Sequence, residues 1–345
     1  MNDDAGGARN RPAPTSASVA RHAGVSRATV SYVLNGQAAG RVSAATQAKV
    51  KQAAQDLGYV PHAAARSLRA GSSALVLIAT PADRVPPFGP LFATFVARFQ
   101  AALEERGYTG VLHGARADRS PEDMARAWAE LRPAAVLATF GAPLTEASVG
   151  ILHRSGTRAV LAFGPPPPPG AHGITMDQEE IGAVAAAHLL SSGRRALGVV
   201  VPEEPGLEPF SAPRLAGARA AAQAFRDATL TELPLAYTEE SAAQLAVQSA
   251  HLDGIFAYND EYAMLLMRAL QDAGVDIPGG TALVGADDLL IARLLRPRLT
   301  SVRSRLPEPH EVAALVDRLI TDPAAPSPGV CFRSTAHVEA RDSSH

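Results

Sequence analysis

Cysteine is almost absent from this chain of 345 residues: Cys331 is the only one. A single thiol excludes an internal disulfide and any cysteine-built metal cluster. Lysine is nearly as scarce, with Lys49 and Lys51 alone and arginine everywhere else, which we read as base bias of the genome rather than function. Aromatic residues make up 5%. No stretch approaches the ~20 apolar residues of a membrane span, and the opening residues, MNDDAGGARNRPAPTSAS, hold no apolar segment of the secretory kind. The expectation is a cytoplasmic protein without membrane association. Catalytic signatures are missing too. No GxGxxG or GxxxxGK(S/T) opens a helix, HExxH and HxxxH do not occur, and the ten histidines are dispersed. With no nucleophile paired to a base, neither an enzyme nor a bound cofactor or metal is expected.

What is present is a charge asymmetry. The chain carries a formal −2, yet residues 1–74 hold nine basic residues (Arg9, Arg11, Arg21, Arg27, Arg41, Lys49, Lys51, Arg66, Arg69) against Asp3, Asp4 and Asp56. Residues 75–345 are correspondingly acidic. A small basic head on an acidic body is the electrostatic footprint of a polyanion binder.

Three short helices fit before residue 60, after a tail over 1–14 expected to be disordered. They run from about Ser16 to Ala23, from a Ser26 cap to Asn35 and Gly36, and from about Ser43 to Leu57. Val19, Ala23, Val30, Val33, Val50, Ala54 and Leu57 recur at helical spacing and predict one small core. The middle helix is unusual. Its outer positions carry Arg27, Thr29, Ser31 and Tyr32, an arginine with hydroxyls and an aromatic, where a solvated face would show Glu and Lys. Beyond Pro61, HAAARSLRAGSS reads as a weak fourth helix fading into a linker over 61–74.

From Leu75 short apolar runs alternate with amphipathic helices, first as LVLIA, GVLH, AAVLAT and RAVLAF. A second series follows as GITM (173–176), ALGVVV, LPLAY, GIFAY and ALVGA. Two such series predict an α/β core of two parallel-sheet lobes. GPPPPPG (164–170) reads as a stiff connector between them. The expected first lobe covers about 75–163 plus 305–324, and the second about 171–304 plus 328–345, with one last strand near Val330–Val338. Ligands of such sheets bind beyond the C-terminal strand ends.

Residues 15–71, TSASVARHAGVSRATVSYVLNG through GYVPHAAARSLRAG, resemble the DNA-binding head of the LacI/GalR family of bacterial repressors. RLAG (214–217), AYNDEYA (257–263), VGADDL (284–289) and PRLTSV (297–302) follow in the order of that family's effector-binding core. The resemblance implies a helix-turn-helix head, a hinge helix, and a two-lobed parallel-sheet core like that of periplasmic sugar-binding proteins. It implies a transcriptional regulator, usually a repressor, acting as a homodimer or higher oligomer on double-stranded operator DNA. Arg27, Ala28 and Tyr32 match the base-reading positions; Ser16, Ser26, Thr29, Ser31 and Asn35 suit phosphates. His62 opens the matched hinge helix, and Leu68 takes the position of the apolar wedge pushed into the minor groove.

By family position Arg214, Asn259 and Asp287 would meet effector oxygens, and Phe92 and Phe163 would form apolar walls. Ala162 and Pro81 stand where sugar-binding relatives often carry Asp and Ser. These departures imply a pocket less polar than a simple monosaccharide site; a carbohydrate is the default effector by family frequency, and an aromatic or nucleoside-like ligand its competitor. Two other classes remain at this point: a DNA-binding regulator whose degenerate pocket senses nothing, and a solute-binding protein of the same core fold.

Overall fold

The computed structural model describes residues 13–60, 73–81, 90–116, 118–139, 142–322 and 324–345. The chain divides into two compact units, Met1–Ala74 and Leu75–His345. In the first, α1 (Ser16–Ala23), α2 (Arg27–Leu34) and α3 (Ala44–Asp56) enclose a core of Val19, Ala20, Val30, Val33, Ala38, Val50, Ala53 and Ala54. Each helix starts on a hydroxyl. Thr15 forms a reciprocal capping box with Ser18, Ser26 accepts from Thr29 N–H, and Ser43 accepts from Thr46 N–H. Gly24, at φ 66°, closes α1 and turns the chain into α2. The expected hinge over His62–Arg69, with Leu68, lies outside the described residues.

The second unit holds two six-stranded sheets. The first-lobe sheet is ordered β11-β5-β4-β3-β1-β2, from β1 (Leu75–Pro81), β2 (Thr109–Ala115), β3 (Ala135–Ala138), β4 (Ala159–Gly164), β5 (His172–Thr175) and β11 (Gly329–Arg333). Helices α4 (Pro90–Glu104) and α12 (Pro309–Thr321) cover one of its faces. Helices α5 (Pro121–Glu130) and α6 (Glu146–Arg154) cover the other, burying Trp128. The second-lobe sheet is ordered β12-β10-β9-β8-β6-β7, from β6 (Ala196–Pro202), β7 (Thr229–Leu235), β8 (Gly254–Phe256), β9 (Ala282–Ala286), β10 (Thr300–Arg305) and β12 (Thr335–Glu339). It lies between α7 (Gln178–Ser191) with α8 (Glu208–Gln223) and α9 (Glu239–Gln248) with α10 (Asp260–Asp272). A short α11 (Leu290–Leu294) follows β9.

Three features differ from the sequence reading. Residues 173–176 do not open the second lobe: β5 pairs in parallel with β4, Leu161 opposite His172, inside the first sheet. The proline run is therefore a crossover within the first lobe and not a connector between lobes. Parallel neighbours require the chain to travel back one strand length. An extended run of about six residues at ~3.1 Å each spans the roughly 20 Å that a six-residue strand covers, so no helix is needed. Pro167 packs directly over β5, where a Cβ on Gly173 would come within 2.6 Å of its ring. Second, the single strand expected near Val330–Val338 is two strands. β11 joins the first sheet in parallel with β5, and β12 joins the second antiparallel to β10. Third, the apolar period after ALGVVV predicts a helix over about 213–226, whereas α8 begins at Glu208 and holds Pro213 inside it.

The chain thus crosses between lobes after β5, after β10 and between β11 and β12. The first and third crossings are tied together. Ser334 N–H donates to Thr175 O at 2.8 Å, Asp177 N–H donates to Ser334 Oγ at 3.2 Å, and Arg333 lies 3.7 Å from the Asp177 carboxylate. The C-terminal residues are built into the second lobe. Ser343 Oγ accepts from Thr300 N–H and donates to Leu283 O, while Ser344 Oγ bonds to Thr300 and His188.

Candidate functional site

On the head, the outer face of α2 is what the sequence singles out. Val30 and Val33 are buried while Arg27, Ala28, Tyr32 and Asn35 are exposed, an arrangement set by the 3.6-residue period. Ser26 spends its oxygen on the helix cap and meets Thr29 Oγ1 at 2.9 Å; Asn35 Nδ2 donates to Ser31 Oγ at 3.0 Å. Those hydroxyls preorganise the helix as well as facing outward. Tyr32 stands exposed, with the Arg41 guanidinium 5.4 Å from its ring centre. Arg27 has no salt bridge among the described residues. Ser16 is the first residue of α1, beside the Thr15 cap. His62 lies with Leu68 outside the described residues.

In the core, the second lobe gathers its polar residues at the C-terminal ends of β6, β8 and β9, where parallel strands leave ligand space. Arg214, with its side chain only 5% exposed, is the centre. Its Nε donates to Gln178 Oε1 at 2.8 Å, its Nη1 to Tyr258 O at 2.6 Å, and its Nη2 lies 3.7 Å from Asp287 Oδ1. The guanidinium also sits 4.8 Å from the Tyr258 ring centre. Such a burial is possible because α7 and α8 nearly touch. A Cβ on Gly182 would fall 1.8 Å from Arg214 O, and one on Gly217 1.9 Å from Glu179 O. Only glycine at both positions lets Gln178 and Arg214 meet.

Asp287 follows β9 in the left-handed region, at φ 91°, and Asp288 and Tyr258 share that region at 48° and 42°. Non-glycine residues avoid it, so three together mark strained loops held by their surroundings. Asp260 is the holding group. Fully buried, it accepts from Leu289 N–H at 2.7 Å and from Ser301 Oγ–H at 2.6 Å, while Asp288 N–H donates to the same Ser301 oxygen at 3.0 Å. Burial pushes its carboxyl up to about 8, against the pull of the Ser301 bond. Asp287 is raised as well, by burial, with Arg214 drawing it back. Asn259 caps α10, its Oδ1 accepting from Tyr262 N–H at 3.0 Å.

The first lobe contributes an apolar side. Phe163 is 1% exposed and packs at 4.9 Å from Phe95, with the partly exposed Phe92 6.5 Å away. Phe163 is thus a core residue standing behind Phe92 rather than an open wall. Phe210 of α8 packs against buried clusters of both lobes and spans the seam.

The structure therefore brings Arg214, Asn259 and Asp287 to adjacent strand ends of one lobe, with Phe92 and Phe163 in the other. Gln178, Tyr258, Phe210 and Tyr262, whose hydroxyl donates to the Glu204 carboxylate, were missed by sequence reasoning. Tyr258 lies within the AYND stretch and gave a signal. Gln178 gave none, since it reads as an ordinary first-turn helix residue.

Comparison with known proteins agrees with this arrangement. Residues 17–62 match the family described as bacterial regulatory proteins, lacI family, and residues 186–344 match a periplasmic binding protein-like domain. The HTH-type transcriptional regulator GntR of Pseudomonas aeruginosa is 31% identical over 300 residues, 84% of each chain. The HTH-type transcriptional regulator CelR of Thermobifida fusca is 30% identical, covering 92% of this chain and 95% of its own. A solved transcriptional regulator CelR–cellobiose complex superposes with a TM-score of 0.62 at 26% identity, over 96% of this chain and 99% of that one. Matched along most of its length, the chain belongs to the lacI family of bacterial regulatory proteins and is a DNA-binding transcriptional regulator, not an enzyme.

Proposed function

We propose that this regulator binds a palindromic operator as a homodimer and that a small polyhydroxylated effector, held between the core lobes, sets its affinity for DNA. The observation that carries the reading is the buried Arg214 paired with the partly exposed Asp287 beside strained loops of the second lobe, with Phe210 of α8 packed against the apolar clusters of both lobes. Arg214 and Asp287 meet effector oxygens, Asn259 stands beside them, and Phe92, backed by Phe163, forms the apolar wall. The relative named for its cellobiose complex supports a carbohydrate. Exposed Val111 and Leu112 on the edge strand β2, and Leu290 and Leu294 on α11, supply apolar surface for a second copy.

On the DNA side, Arg27 reads a guanine from the major groove, Ala28 touches a thymine methyl and Tyr32 lies against the next base. Ser16, Ser26, Thr29, Ser31 and Asn35 set register on phosphates. His62 and Leu68 belong to the hinge that enters the minor groove. A ligand can shift such a regulator only by its differential affinity for the two lobe arrangements.

Genome-wide mapping of bound sites supplies the operator and, through the neighbouring genes, candidate effectors. Titrating that operator with wild type and Arg27→Ala then tests the head: the variant loses preference at one symmetric pair of positions, at roughly 1–3 kcal/mol per contact. Uniform weakening on every sequence would make Arg27 a phosphate contact instead. If no candidate effector shifts operator affinity or melting temperature, the core senses nothing and the effector reading fails.

A further inference from the structure

Gln178 is the first residue of α7, one position past the tied crossing at Asp177, and is 8% exposed. Its carbonyl oxygen accepts from Arg214 Nε at 2.8 Å. Arginine has donors and no acceptor, so this bond fixes which end of the amide faces Arg214. The other end, Nε2, is then a buried donor, and it has no hydrogen-bond partner among the described residues. Leaving a buried amide N–H₂ unmet costs free energy that a fold normally avoids. Here the unmet donor sits beside the most buried guanidinium of the cleft.

Resting on the cleft reading above, we propose that Gln178 is itself an effector-binding residue, its Nε2 donating to an oxygen of the ligand. Geometry also narrows the ligand class. Nε and Nη2 form one edge of the guanidinium, so Gln178 and Asp287 lie side by side along it. An oxygen at this corner accepts from Gln178 and is next to an acceptor-only carboxylate. A hydroxyl satisfies both, accepting from the amide and donating to Asp287. A ligand carboxylate satisfies the amide but meets Asp287 as a like charge. The corner therefore selects a neutral sugar-type hydroxyl over a sugar acid. Because Gln178 adjoins the crossing between lobes, the same oxygen is held at the seam where the lobes turn.

The test uses the full chain with D-ribose, D-glucose, D-galactose, cellobiose, adenosine and D-gluconate as probes, read by thermal shift and calorimetric Kd. Gln178→Glu keeps an acceptor for Arg214 Nε and replaces only the donor. The expected result is ligand-free melting close to wild type, with the Kd of a bound neutral probe weakened roughly tenfold to a hundredfold. Gln178→Met, which removes both ends of the amide without adding charge, weakens the same probe in the same direction. If a probe binds wild type and is lost in Asp287→Ala but binds Gln178→Glu and Gln178→Met unchanged, the cleft reading stands and the role of Gln178 is overturned. Preference for D-gluconate over D-glucose overturns the assignment of a neutral hydroxyl. If no probe raises the wild-type melting temperature, the cleft reading falls and this inference with it.

Discussion

The two core lobes share one winding and differ in what they place at their strand ends. Each sheet runs from its lobe's third strand out to both edges in the same order, and each is closed by one strand from the C-terminal segment, parallel in the first lobe and antiparallel in the second. Yet the first lobe ends its strands in packed apolar side chains, Phe163 among them, while the second ends them in Asn259 and in Tyr258 and Asp287 on strained backbone. One sheet ends in apolar packing and the other in polar, hydrogen-bonded side chains. The lesson is that a polar site of this kind needs bracing. Asp260, Ser301 and the Gly182/Gly217 contact exist to hold residues that would otherwise relax.

The largest expected effect falls on the core of the first lobe. Phe163→Ala should cost about 4 kcal/mol, because a fully buried phenylalanine leaves a cavity its neighbours cannot fill. Segment-resolved hydrogen exchange should show the loss in the first lobe, with the second protected nearly as before. Equal loss in both lobes would mean that they unfold as one body.

Next comes the brace between α7 and α8. Gly182→Ala sets a Cβ against backbone at 1.8 Å, whereas Gly110→Ala in the first lobe meets only side chains, the nearest at 3.1 Å. The first should cost about 3 kcal/mol and the second under about 1 kcal/mol, by denaturant unfolding. The Gly182 variant should also lose its effector response, since Arg214 moves with α8. A response intact despite the stability loss would detach Arg214 from this helix contact.

Protonation separates the lobes further. The Asp260 carboxyl is raised from 3.8 to about 8 in the folded protein. The folded state therefore holds a proton that the unfolded chain releases, so the stability tied to it is full below about pH 4 and is lost as pH rises through about 8. Hydrogen exchange in α10 and the loop after β9 should speed up across that window, and Asp260→Asn should flatten the dependence. Tyr108 in the first lobe and Tyr258 in the second are both pushed up to about 12, so stability loss above pH 10 should be common to the two. A near-neutral slope of the same size in the first lobe would break the contrast.

The smallest effect on stability should come with a large one on function. Asp287→Asn keeps an oxygen near Arg214, which retains its bonds to Gln178 and Tyr258, and should cost about 1–2 kcal/mol of stability. Its response to effector should nonetheless disappear in an operator titration, with ligand-free DNA binding unchanged. A wild-type response would move the site elsewhere.

Legibility followed the range of the interactions. The head was readable because its determinants are local: Ser26 caps α2 by accepting from Thr29 N–H three residues on, and Val30 and Val33 define a face within two turns. The run of strands and helices in the core was readable for the same reason, through apolar period and caps such as Ser120 before Pro121. Assigning β5 and β11 to a sheet was not, because an apolar strand can be satisfied at either sheet edge, and only the Pro167–Gly173 packing and the pairing with β4 choose between them. Arg214, Asn259 and Asp287 stood out only through the family motifs around them.

By itself, then, the sequence determined the helices of the head, the exposed polar face of α2, the alternation that makes two parallel sheets, and the family. The first three follow from periodicity and capping, which act over a few residues, and the family from its motifs. Tertiary structure alone decided where the chain crosses between lobes and that Phe163 is core. It alone brought Gln178 to Arg214 across 36 positions of sequence and Tyr258 across 44. No local pattern encodes such meetings. They arise because two glycine-faced helices can approach until their backbones touch, and because a guanidinium leaving water must find its acceptors wherever the fold has put them.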